Sequence, residues 1–510
     1  MSDHFEIAII GSGFAGSLLA RLLARSGRSV VLIESARHPR FALGESSTPL
    51  AAIALERMAR RFGLPELAQF ASYGRWQAHQ PELRCGLKRG FSFYGHCRGE
   101  TFSDPQHRRM LVAASPSDAL ADSHWLRADV DARFARRAVE DGAALLEGHQ
   151  LVAVEQCEQD LRLMLRTDQG GCEIRAGFAV DASGGALASA LAIGSTPTCE
   201  HQTTLVYGHF HQLADFADQL PAAFRDSAPY PEGQAANHHL FDGGWFYLLP
   251  FDDGRVSAGV LIEREWKNSD PESSWQQALA LTPSLARCFR RATVASDVPL
   301  GLRRFTRSRR VAAVGKRWAL LPHSYAFQDP MFSTGIAWSL IAVERLTEVL
   351  AADPSKDPGR RQTELARYAQ LLQVEADQVS ALCRGARALY GDFERFVDWA
   401  RLYFIAASYC EARQRFCDPP GACWEGFLGA TDSVLSELFA QAEPWFALPS
   451  ANIREQLKSR LLVRDVGGFL ASGLTTGVDL GALIAAAHKL GLSENQLRER
   501  IPAMMRGEWS

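Results

Sequence analysis

A glycine-rich turn near the start of the chain has the residue types and spacing that bind a dinucleotide. Residues 11–16, with the sequence GSGFAG, follow the apolar run 6–10 and open a helix-like stretch. The first glycine permits a tight turn, the second lets backbone approach a pyrophosphate, and the third lets the helix pack on the strand. Glu34 ends the next apolar run, 29–33, and can accept hydrogen bonds from both ribose hydroxyls. The sequence therefore predicts a βαβ unit for a dinucleotide that lacks a 2′-phosphate.

The elements around this turn are predicted from hydrophobic periodicity. After a long intervening segment, a helix near 132–140 and a strand near 151–154 indicate that the chain returns to the nucleotide-binding lobe. Alternating apolar residues then predict an antiparallel sheet, the floor of a substrate lobe, from the segments 203–210, 244–250 and 255–262. Beyond Ile336 the pattern is almost entirely helical. This helical third can be a lid, a homodimer surface or added core.

The predicted fold class follows from these elements. We expect an α/β protein with a Rossmann-type nucleotide-binding lobe, an antiparallel β-sheet substrate lobe and a helical C-terminal region. The predicted boundaries are residues 1–200 with 290–350 for the first lobe, 201–289 for the second and 351–510 for the third.

Composition and charge exclude several function classes. The 510 residues are 47% hydrophobic and 22% charged, as in ordinary globular proteins, and the formal net charge is −3. This balance gives no general electrostatic reason to bind nucleic acid or an anionic membrane. No long uncharged apolar stretch occurs and the N-terminus leads directly into a strand, so we expect a cytoplasmic protein. The cysteines include no CxxC pair, so neither a metal site nor a disulfide framework is expected.

Three further motifs accompany the glycine-rich turn. They are residues 44–49 (GESSTP), residues 85–93 (CGLKRGFSF) and residues 329–335 (DPMFSTG). Together, the four motifs resemble those of the flavin-dependent halogenases, and the nearest pattern is that of halogenases acting on free phenols of the phloroglucinol type. The similarity runs from residue 5 to about residue 410.

The resemblance implies a reaction with an electrophilic halogen. FAD, delivered as FADH2 by a separate flavin reductase, would react with O2 and chloride or bromide to give hypohalous acid, which then reaches Lys88. The lysine would orient this acid through its ammonium, or form a haloamine through the neutral amine that burial favours. A small, electron-rich aromatic substrate would sit beside it with water excluded. The structural alternative for Lys88 is a solvent-facing strand lysine.

The resemblance also implies the remaining site residues. The expected cofactor-binding residues are Gly11, Gly13, Phe14, Ala15, Gly16, Glu34, Gly44, Glu45, Ser46, Ser47, Thr48, Arg127, Asp329, Pro330 and Gly335. Thr334 and Gly335 are the halide candidates, since backbone N–H groups in a turn can bind an anion. The expected substrate contacts are Phe91, Phe93, Leu111, Trp399 and Tyr403.

Structural alternatives stay open for several of these residues. Residues 333–334 can form a plain helix entry in which Ser333 or Thr334 caps the helix. Glu45 can be a structural carboxylate, and Arg127 can form only an i,i+4 pair with Asp131. The aromatic residues on one face of the helical third can be ordinary core, and these are Phe393, Phe396, Trp399, Tyr403 and Phe404.

One segment departs from the halogenase pattern. Halogenases carry Trp-x-Trp-x-Ile-Pro in the sheet, whereas here Tyr247 follows Trp245 and Leu249 precedes Pro250. The wall stays aromatic and apolar, but the change leaves open whether the oxidant reacts with halide or inserts oxygen into an organic substrate. A flavin monooxygenase or dehydrogenase on an aromatic or carrier-bound substrate is therefore the alternative function. A flavoprotein-like scaffold without chemistry is the third hypothesis.

Overall fold

The computed structural model describes residues 4–198, 202–263, 270–353, 357–417, 419, 421–441, 455 and 458–506. The strands in chain order are β1 (His4–Ile10), β2 (Val30–Glu34), β3 (Cys85–Lys88), β4 (Gly90–Gly95), β5 (Arg109–Ala113), β6 (Asp122–Trp125), β7 (Ala144–Glu147), β8 (Gln150–Gln156), β9 (Leu161–Thr167), β10 (Gly170–Asp181), β11 (Ser195–Pro197), β12 (Thr203–His211), β13 (Ala236–Phe241), β14 (Gly244–Pro250), β15 (Arg255–Ile262), β16 (Thr293–Val294), β17 (Gly301–Phe305), β18 (Ser308–Arg310), β19 (Val314–Gly315), β20 (Trp318–Leu320) and β21 (Thr475–Thr476).

The helices connect and cover these strands. They are α1 (Phe14–Arg25), α2 (Pro49–Phe62), α3 (Tyr73–His79), α4 (Pro105–Arg108), α5 (Arg127–Glu140), α6 (Ala186–Ala190), α7 (Ala222–Asp226), α8 (Pro271–Ala280), α9 (Pro283–Cys288), α10 (Pro322–Tyr325), α11 (Thr334–Ala351), α12 (Pro358–Ala388), α13 (Phe393–Cys417), α14 (Ser433–Ala440), α15 (Leu480–Ala485) and α16 (Glu494–Met505). Among the described helices, none combines the length and apolar character needed to cross a membrane.

A mixed sheet with a parallel core forms the centre of the first lobe, and β8 and β9 extend it antiparallel beside β10. Its strand order is β19-β20-β10-β1-β2-β7, and β1 lies parallel to both β2 and β10. Every residue of β2 is buried, as expected for a parallel strand with helices on both faces of the sheet. The predicted βαβ unit is therefore present, and its turn lies at the carboxyl end of β1, where nucleotides bind in doubly wound folds.

A second, mixed sheet packs beside it, in the order β16-β12-β15-β14-β13-β4-β5-β21. The predicted antiparallel core is confirmed, because β15 pairs antiparallel with both β12 and β14. Two strands from earlier in the chain extend this core: β4 lies parallel to β13, and β5 lies antiparallel to β4. This arrangement brings the aromatic residues of β4 against the helical region.

The segment 85–93 is divided between two sheets, although the sequence motif indicates a single strand. Strand β3 pairs with β6 in a separate two-stranded ribbon, whereas β4 joins the second sheet. Arg89 lies at the break and its backbone N–H donates to the Gln234 carbonyl at 2.7 Å. A Cβ atom at Gly86 would lie 1.9 Å from the Pro250 carbonyl oxygen. The glycine therefore permits a close approach of β3 to the end of β14 that a side chain would prevent.

Candidate active site

The glycine-rich turn contains two closely packed glycines and one, Gly13, that faces open space. Gly11 has a φ of +99°, and a Cβ atom at Gly16 would lie 2.0 Å from the Gly11 carbonyl oxygen. Gly13, which precedes α1, differs from them. A Cβ atom at this position would meet only the ends of the Arg127, Asp131 and Arg40 side chains, at 3.4–3.8 Å. The turn thus forms a cradle bounded by charged side chains and a helix N-terminus. These features fit the pyrophosphate of a dinucleotide.

Glu34 lies at the end of β2 beside this cradle. Its Oε2 accepts hydrogen bonds from the Ser12 backbone N–H at 3.0 Å and from Arg40 at 2.8 Å, and its Oε1 accepts one from the Ala36 backbone N–H at 3.1 Å. Burial alone would raise the pKa of Glu34, but the Arg40 charge and these hydrogen bonds hold it at about 2. The carboxylate is therefore ionised at neutral pH and oriented beside the turn.

Arg127 forms the predicted i,i+4 ion pair with Asp131, at 2.9 Å. It also donates to the carbonyl oxygens of Leu43 and Gly44, at 2.8 and 3.0 Å, and its guanidinium lies 4.7 Å from the centroid of the Phe14 ring. Through these contacts, Arg127 connects α5 to both the glycine-rich turn and the segment 44–49. Its guanidinium faces Gly13, and the cofactor contact stays a prediction.

The segment 44–49 connects the first lobe to the lysine. Ser46 Oγ accepts a hydrogen bond from the Ser333 hydroxyl at 3.1 Å, and the Ser47 carbonyl accepts one from Lys88 Nζ at 2.5 Å. Glu45 is buried, and its Oε1 lies 3.2 Å from His209 Nε2. Thr48 precedes Pro49 and α2, so the segment ends in a helix. The same few residues therefore contact both the turn 329–335 and the amine of Lys88.

The turn 329–335 is fixed by buried ion pairs. Asp329 contacts Arg307 at 2.8 Å and Arg387 at 2.6 Å. Pro330 accepts the Ser333 N–H at 3.0 Å. Ser333 has a left-handed backbone with a φ of +53°, and its hydroxyl bonds to Ser46 rather than capping α11.

The two halide candidates open α11. Thr334 is its first residue and is buried. A Cβ atom at Gly335 would lie 2.8 Å from His323 Nε2, so glycine permits this imidazole to pack against the helix entry. The plain helix entry is therefore present, although Ser333 does not cap it through its side chain. The halide role stays a prediction.

Lys88 is completely buried, which excludes the solvent-facing alternative. Besides its hydrogen bond to the Ser47 carbonyl, Nζ lies 4.1 Å from the centroid of the Phe91 ring. In the β3–β6 ribbon, Lys88 stands directly opposite Asp122. Burial lowers the pKa of Lys88 against the opposing effect of the Asp122 charge, and burial raises the pKa of Asp122 against the effect of Lys88. Both groups are buried, so the proton affinity of each depends on the charge of the other.

A cavity of about 200 Å³ lies beside this pair. Phe91, Asp122 and Tyr403 are among its lining residues, and the Tyr403 hydroxyl donates to the Phe332 carbonyl at 2.9 Å. The cavity thus borders Phe91 and Asp122, the neighbours of Lys88, on one side and, through Tyr403, the turn 329–335 on another. Its wall is mainly apolar and aromatic, as is usual for small aromatic ligands.

The structure brings only part of the predicted substrate set to this cavity. Phe91 and Tyr403 line it, whereas Phe93, Leu111 and Trp399 lie outside the lining set. Phe93 stacks behind Phe91 with ring centroids 6.0 Å apart. Leu111 packs with Tyr230 and Ala235, in a separate small cluster. The Trp399 indole donates to the Leu382 carbonyl at 2.8 Å, which places it in the helical core.

Sequence reasoning missed three polar residues beside Lys88. Asp122 and His124 alternate along β6, and His238 stacks on Phe93 with centroids 4.9 Å apart. Burial and the Lys88 charge lower the pKa values of His124 and His238, so both imidazoles are neutral at pH 7. In the sequence, the segment 122–125 (DSHW) places the polar residues Asp122 and His124 on the same face of a strand. The pairing of β3 with β6, which brings them to Lys88, is visible only in the folded chain.

Comparison with protein families gives one broad match. The family model described as "FAD dependent oxidoreductase" matches residues 6–345, more than half of the chain. This span includes the glycine-rich turn, the turn 329–335 and both sheets apart from β21.

Among curated relatives, the chain is similar to halogenases. It is 28% identical over 420 residues to tetracycline 7-halogenase of Kitasatospora aureofaciens, an alignment that covers 79% of this chain and 73% of that protein. It is 28% identical over 421 residues to the monodechloroaminopyrrolnitrin halogenase PrnC of Pseudomonas fluorescens, covering 79% and 71% of the two chains.

Solved structures share the fold over nearly the whole chain. The structure of the halogenase PltM superposes with a TM-score of 0.83 at 22% identity, covering 92% of this chain and 99% of that one. A second PltM structure, in complex with phloroglucinol and FAD, gives a TM-score of 0.82 at 22% identity, with the same coverage. The shared fold therefore includes the helical region beyond the family match.

Proposed function

Because this chain belongs to the FAD-dependent oxidoreductases, and among them to the flavin-dependent halogenases, we propose that it halogenates a small phenol held beside Lys88. The observation that carries this proposal is the buried amine of Lys88, which is bonded to the segment 44–49 and whose neighbours Phe91 and Asp122 line an apolar cavity. An amine sealed from bulk water can hold an electrophilic halogen without losing it to side reactions.

The cofactor is FAD, and the described residues fit it. The cradle at Gly13 would take the pyrophosphate, and Glu34 would accept hydrogen bonds from the ribose. The segments 44–49 and 329–335, joined by the bond between Ser333 and Ser46, would lie against the ring system. When bound in its reduced form, FAD supplies with O2 the oxidising equivalents that convert halide to hypohalous acid.

Lys88 then presents the halogen to the substrate. The Ser47 carbonyl accepts one hydrogen bond from Nζ and so orients the amine. Because burial lowers the pKa of Lys88, a neutral fraction of the amine is available near neutral pH to take the halogen as a haloamine. Phe91 and Tyr403 hold the aromatic ring at this end of the cavity, so that proximity and exclusion of water select the reacting position.

A free phenol is the substrate class that this cavity favours. A volume of about 200 Å³ with an aromatic wall suits one or two rings. A solved structure with the same fold is described as a complex with phloroglucinol, which supports the same class here. The sequence contains no second GxGxxG motif for a nicotinamide cofactor. We therefore include a separate flavin reductase as the partner that supplies FADH2.

An assay with purified components tests this function. The protein is incubated with a flavin reductase, NADH, FAD, O2, chloride or bromide, and a panel of resorcinols with phloroglucinol, and the products are analysed by mass spectrometry. We expect a product with the isotope doublet of chlorine or bromine. A product heavier by one oxygen, or a desaturated one, would instead identify the monooxygenase or dehydrogenase alternative.

The variant Lys88→Ala separates the lysine's role from cofactor binding. We expect halogenated product to fall at least about 100-fold, because the halogen is no longer held beside the ring. The rate of FADH2 oxidation should stay within about twofold of the wild-type rate, since the residues that form the Gly13 cradle are unchanged. Halogenation at the wild-type rate would show that Lys88 has another role.

A further inference from the structure

We propose that Asp122 is a second catalytic residue, whose carboxylate accepts the hydroxyl proton of the phenol while Lys88 presents the halogen. This inference rests on the proposed function. It assigns a base to a residue that none of the sequence motifs contains.

The position of Asp122 is the first observation. In the antiparallel ribbon Asp122 is the direct partner of Lys88, and it is 5% exposed. It also lines the cavity, together with Phe91 and Tyr403. Phe91 and Tyr403 meet edge to face with ring centroids 6.1 Å apart, and a substrate ring packed against this pair lies next to the carboxylate.

The second observation is an unpartnered oxygen. Asp122 Oδ2 is buried and has no hydrogen-bond partner among the described residues. Buried carboxylate oxygens nearly always have a donor, and an exception calls for a ligand or another explanation. A phenolic hydroxyl in the cavity supplies such a donor.

The other carboxylates in the cavity wall are already engaged. Glu56 is bound by Arg75 at 2.6 Å, and Glu411 is bound by Arg415 at 2.8 Å. Asp479 accepts a hydrogen bond from the Ala482 N–H at 2.9 Å and so caps α15. Among the described residues that line the cavity, Asp122 is the one whose buried carboxylate oxygen has no hydrogen-bond partner.

The charges facing Asp122 suit a base near neutral pH. Burial raises its pKa and Glu411 raises it further, whereas the charges of Lys88 and Arg415 lower it. Tyr403 stays protonated because burial and the Asp122 charge raise its pKa far above the usual value. The neutral imidazoles of His124 and His238 add no charge to the site. A group poised in this way can both accept and return a proton.

The step balances in atoms and electrons. The phenol O–H proton passes to Asp122, and the electron pair of the resulting phenolate attacks the halogen through the ring carbon, so that a carbon–halogen bond forms. The bond from the halogen to the oxygen of hypohalous acid, or to Nζ of the haloamine, breaks and its electron pair stays with the leaving group. The ring proton leaves to that group, giving water or the free amine, and Asp122 returns its proton to the phenolate oxygen.

The test compares Asp122→Asn with wild type on two substrates. One is resorcinol, which is protonated near pH 8, and the other is a difluorinated resorcinol that has a free ring position and is already ionised there. We expect the variant to lose about 100-fold in kcat on resorcinol, in the range of a lost general base, and less than about fivefold on the ionised analogue. Asp122→Glu should recover most of the rate on resorcinol, because a carboxylate is restored. The exposed Asp118, which pairs with Arg89, provides the matched control Asp118→Asn.

Three outcomes would overturn the inference. Equal losses on both substrates would show that Asp122 only positions Lys88, and an unchanged rate on resorcinol would show that it has no part in the reaction. If Asp122→Asn does not bind FAD, Asp122→Ala takes its place: a loss confined to resorcinol supports the inference, whereas equal losses on resorcinol and the analogue overturn it. Wild-type protein that halogenates neither substrate would instead contradict the proposed function on which the inference rests.

Discussion

In the first lobe, ion pairs and hydrogen bonds within the chain fix the positions of single side chains. Glu34 is the main example, because its carboxylate is bonded to Ser12, Ala36 and Arg40 within the folded chain. Its pKa of about 2 lies below the value of 4.5 for an unperturbed glutamate. A group with a depressed folded-state pKa stabilises the protein above its unfolded pKa, and this stability is lost as the pH falls toward the folded pKa.

We therefore expect Glu34→Gln to destabilise the FAD-free protein in a pH-dependent way. At pH 7 the free energy of unfolding should fall by about 2 kcal/mol, and the difference from wild type should shrink progressively as the pH falls from about 4.5 toward about 2. Urea unfolding at several pH values measures this. Glu140→Gln is the control, since Glu140 forms only an exposed pair with Arg137. A difference that stays constant with pH would mean that ionisation of Glu34 does not contribute to stability.

At the scale of elements, the position of Lys88 depends on how closely β3 approaches β14. The Cα of Gly86 lies against the Pro250 carbonyl, with room for no side chain. Strand β3 is short and pairs only with β6 among the described strands. A small displacement of β3 would therefore move the amine of Lys88 relative to the cavity.

Substitution of this glycine tests the dependence. Gly86→Ala would force β3 away from Pro250, and we expect halogenation to fall about 100-fold while FAD binding stays near the wild-type affinity. Product yield and flavin titration measure the two effects. Gly171→Ala is the matched control, because its Cβ would lie 3.7 Å from the nearest neighbouring atom, the Leu165 carbonyl oxygen, in an exposed part of β10. If Gly86→Ala halogenates at the wild-type rate, the position of Lys88 does not depend on the close approach of β3 to β14.

At the scale of the whole molecule, the proposed substrate cavity is completed by residues near the C-terminal end of the chain. Strand β21 adds to the edge of the second sheet beside β5, and residues 477–480 line the cavity. Arg401 of α13 donates to the carbonyl oxygens of Ser472 and Gly473, at 3.0 and 3.1 Å. These bonds connect the helical region to the segment that closes the cavity.

Removing the two hydrogen bonds of Arg401 should make this part of the cavity wall more mobile without changing the rate of the catalytic step. For Arg401→Ala we expect the KM for resorcinol to rise about fivefold, the effect of losing about 1 kcal/mol of hydrogen bonding, with kcat close to that of wild type. Steady-state kinetics and the rate of proteolysis within 470–480 measure the change. Arg498→Ala removes only an exposed pair with Glu494 and should leave both unchanged. An unaltered KM with faster proteolysis would show that the segment does not shape substrate binding.

The sequence by itself determined the parts of this protein that depend on neighbours along the chain. The glycine-rich turn, the acidic end of β2 and the alternating strands β12, β14 and β15 are local patterns whose spacing fixes the conformation. The burial of Lys88 and the stacking of Phe91 with Phe93 also agree with what the motif and the strand period predict.

Only the tertiary structure decided which distant side chains meet. The opposition of Asp122 to Lys88, the division of the segment 85–93 between two sheets and the closure of the cavity by residues 477–480 all involve segments far apart in the chain. Phe93, Leu111 and Trp399 have the same apolar character as Phe91, yet they pack elsewhere. Hydrophobic pattern specifies that a residue is buried, whereas the packing of sheets and helices decides what it is buried against.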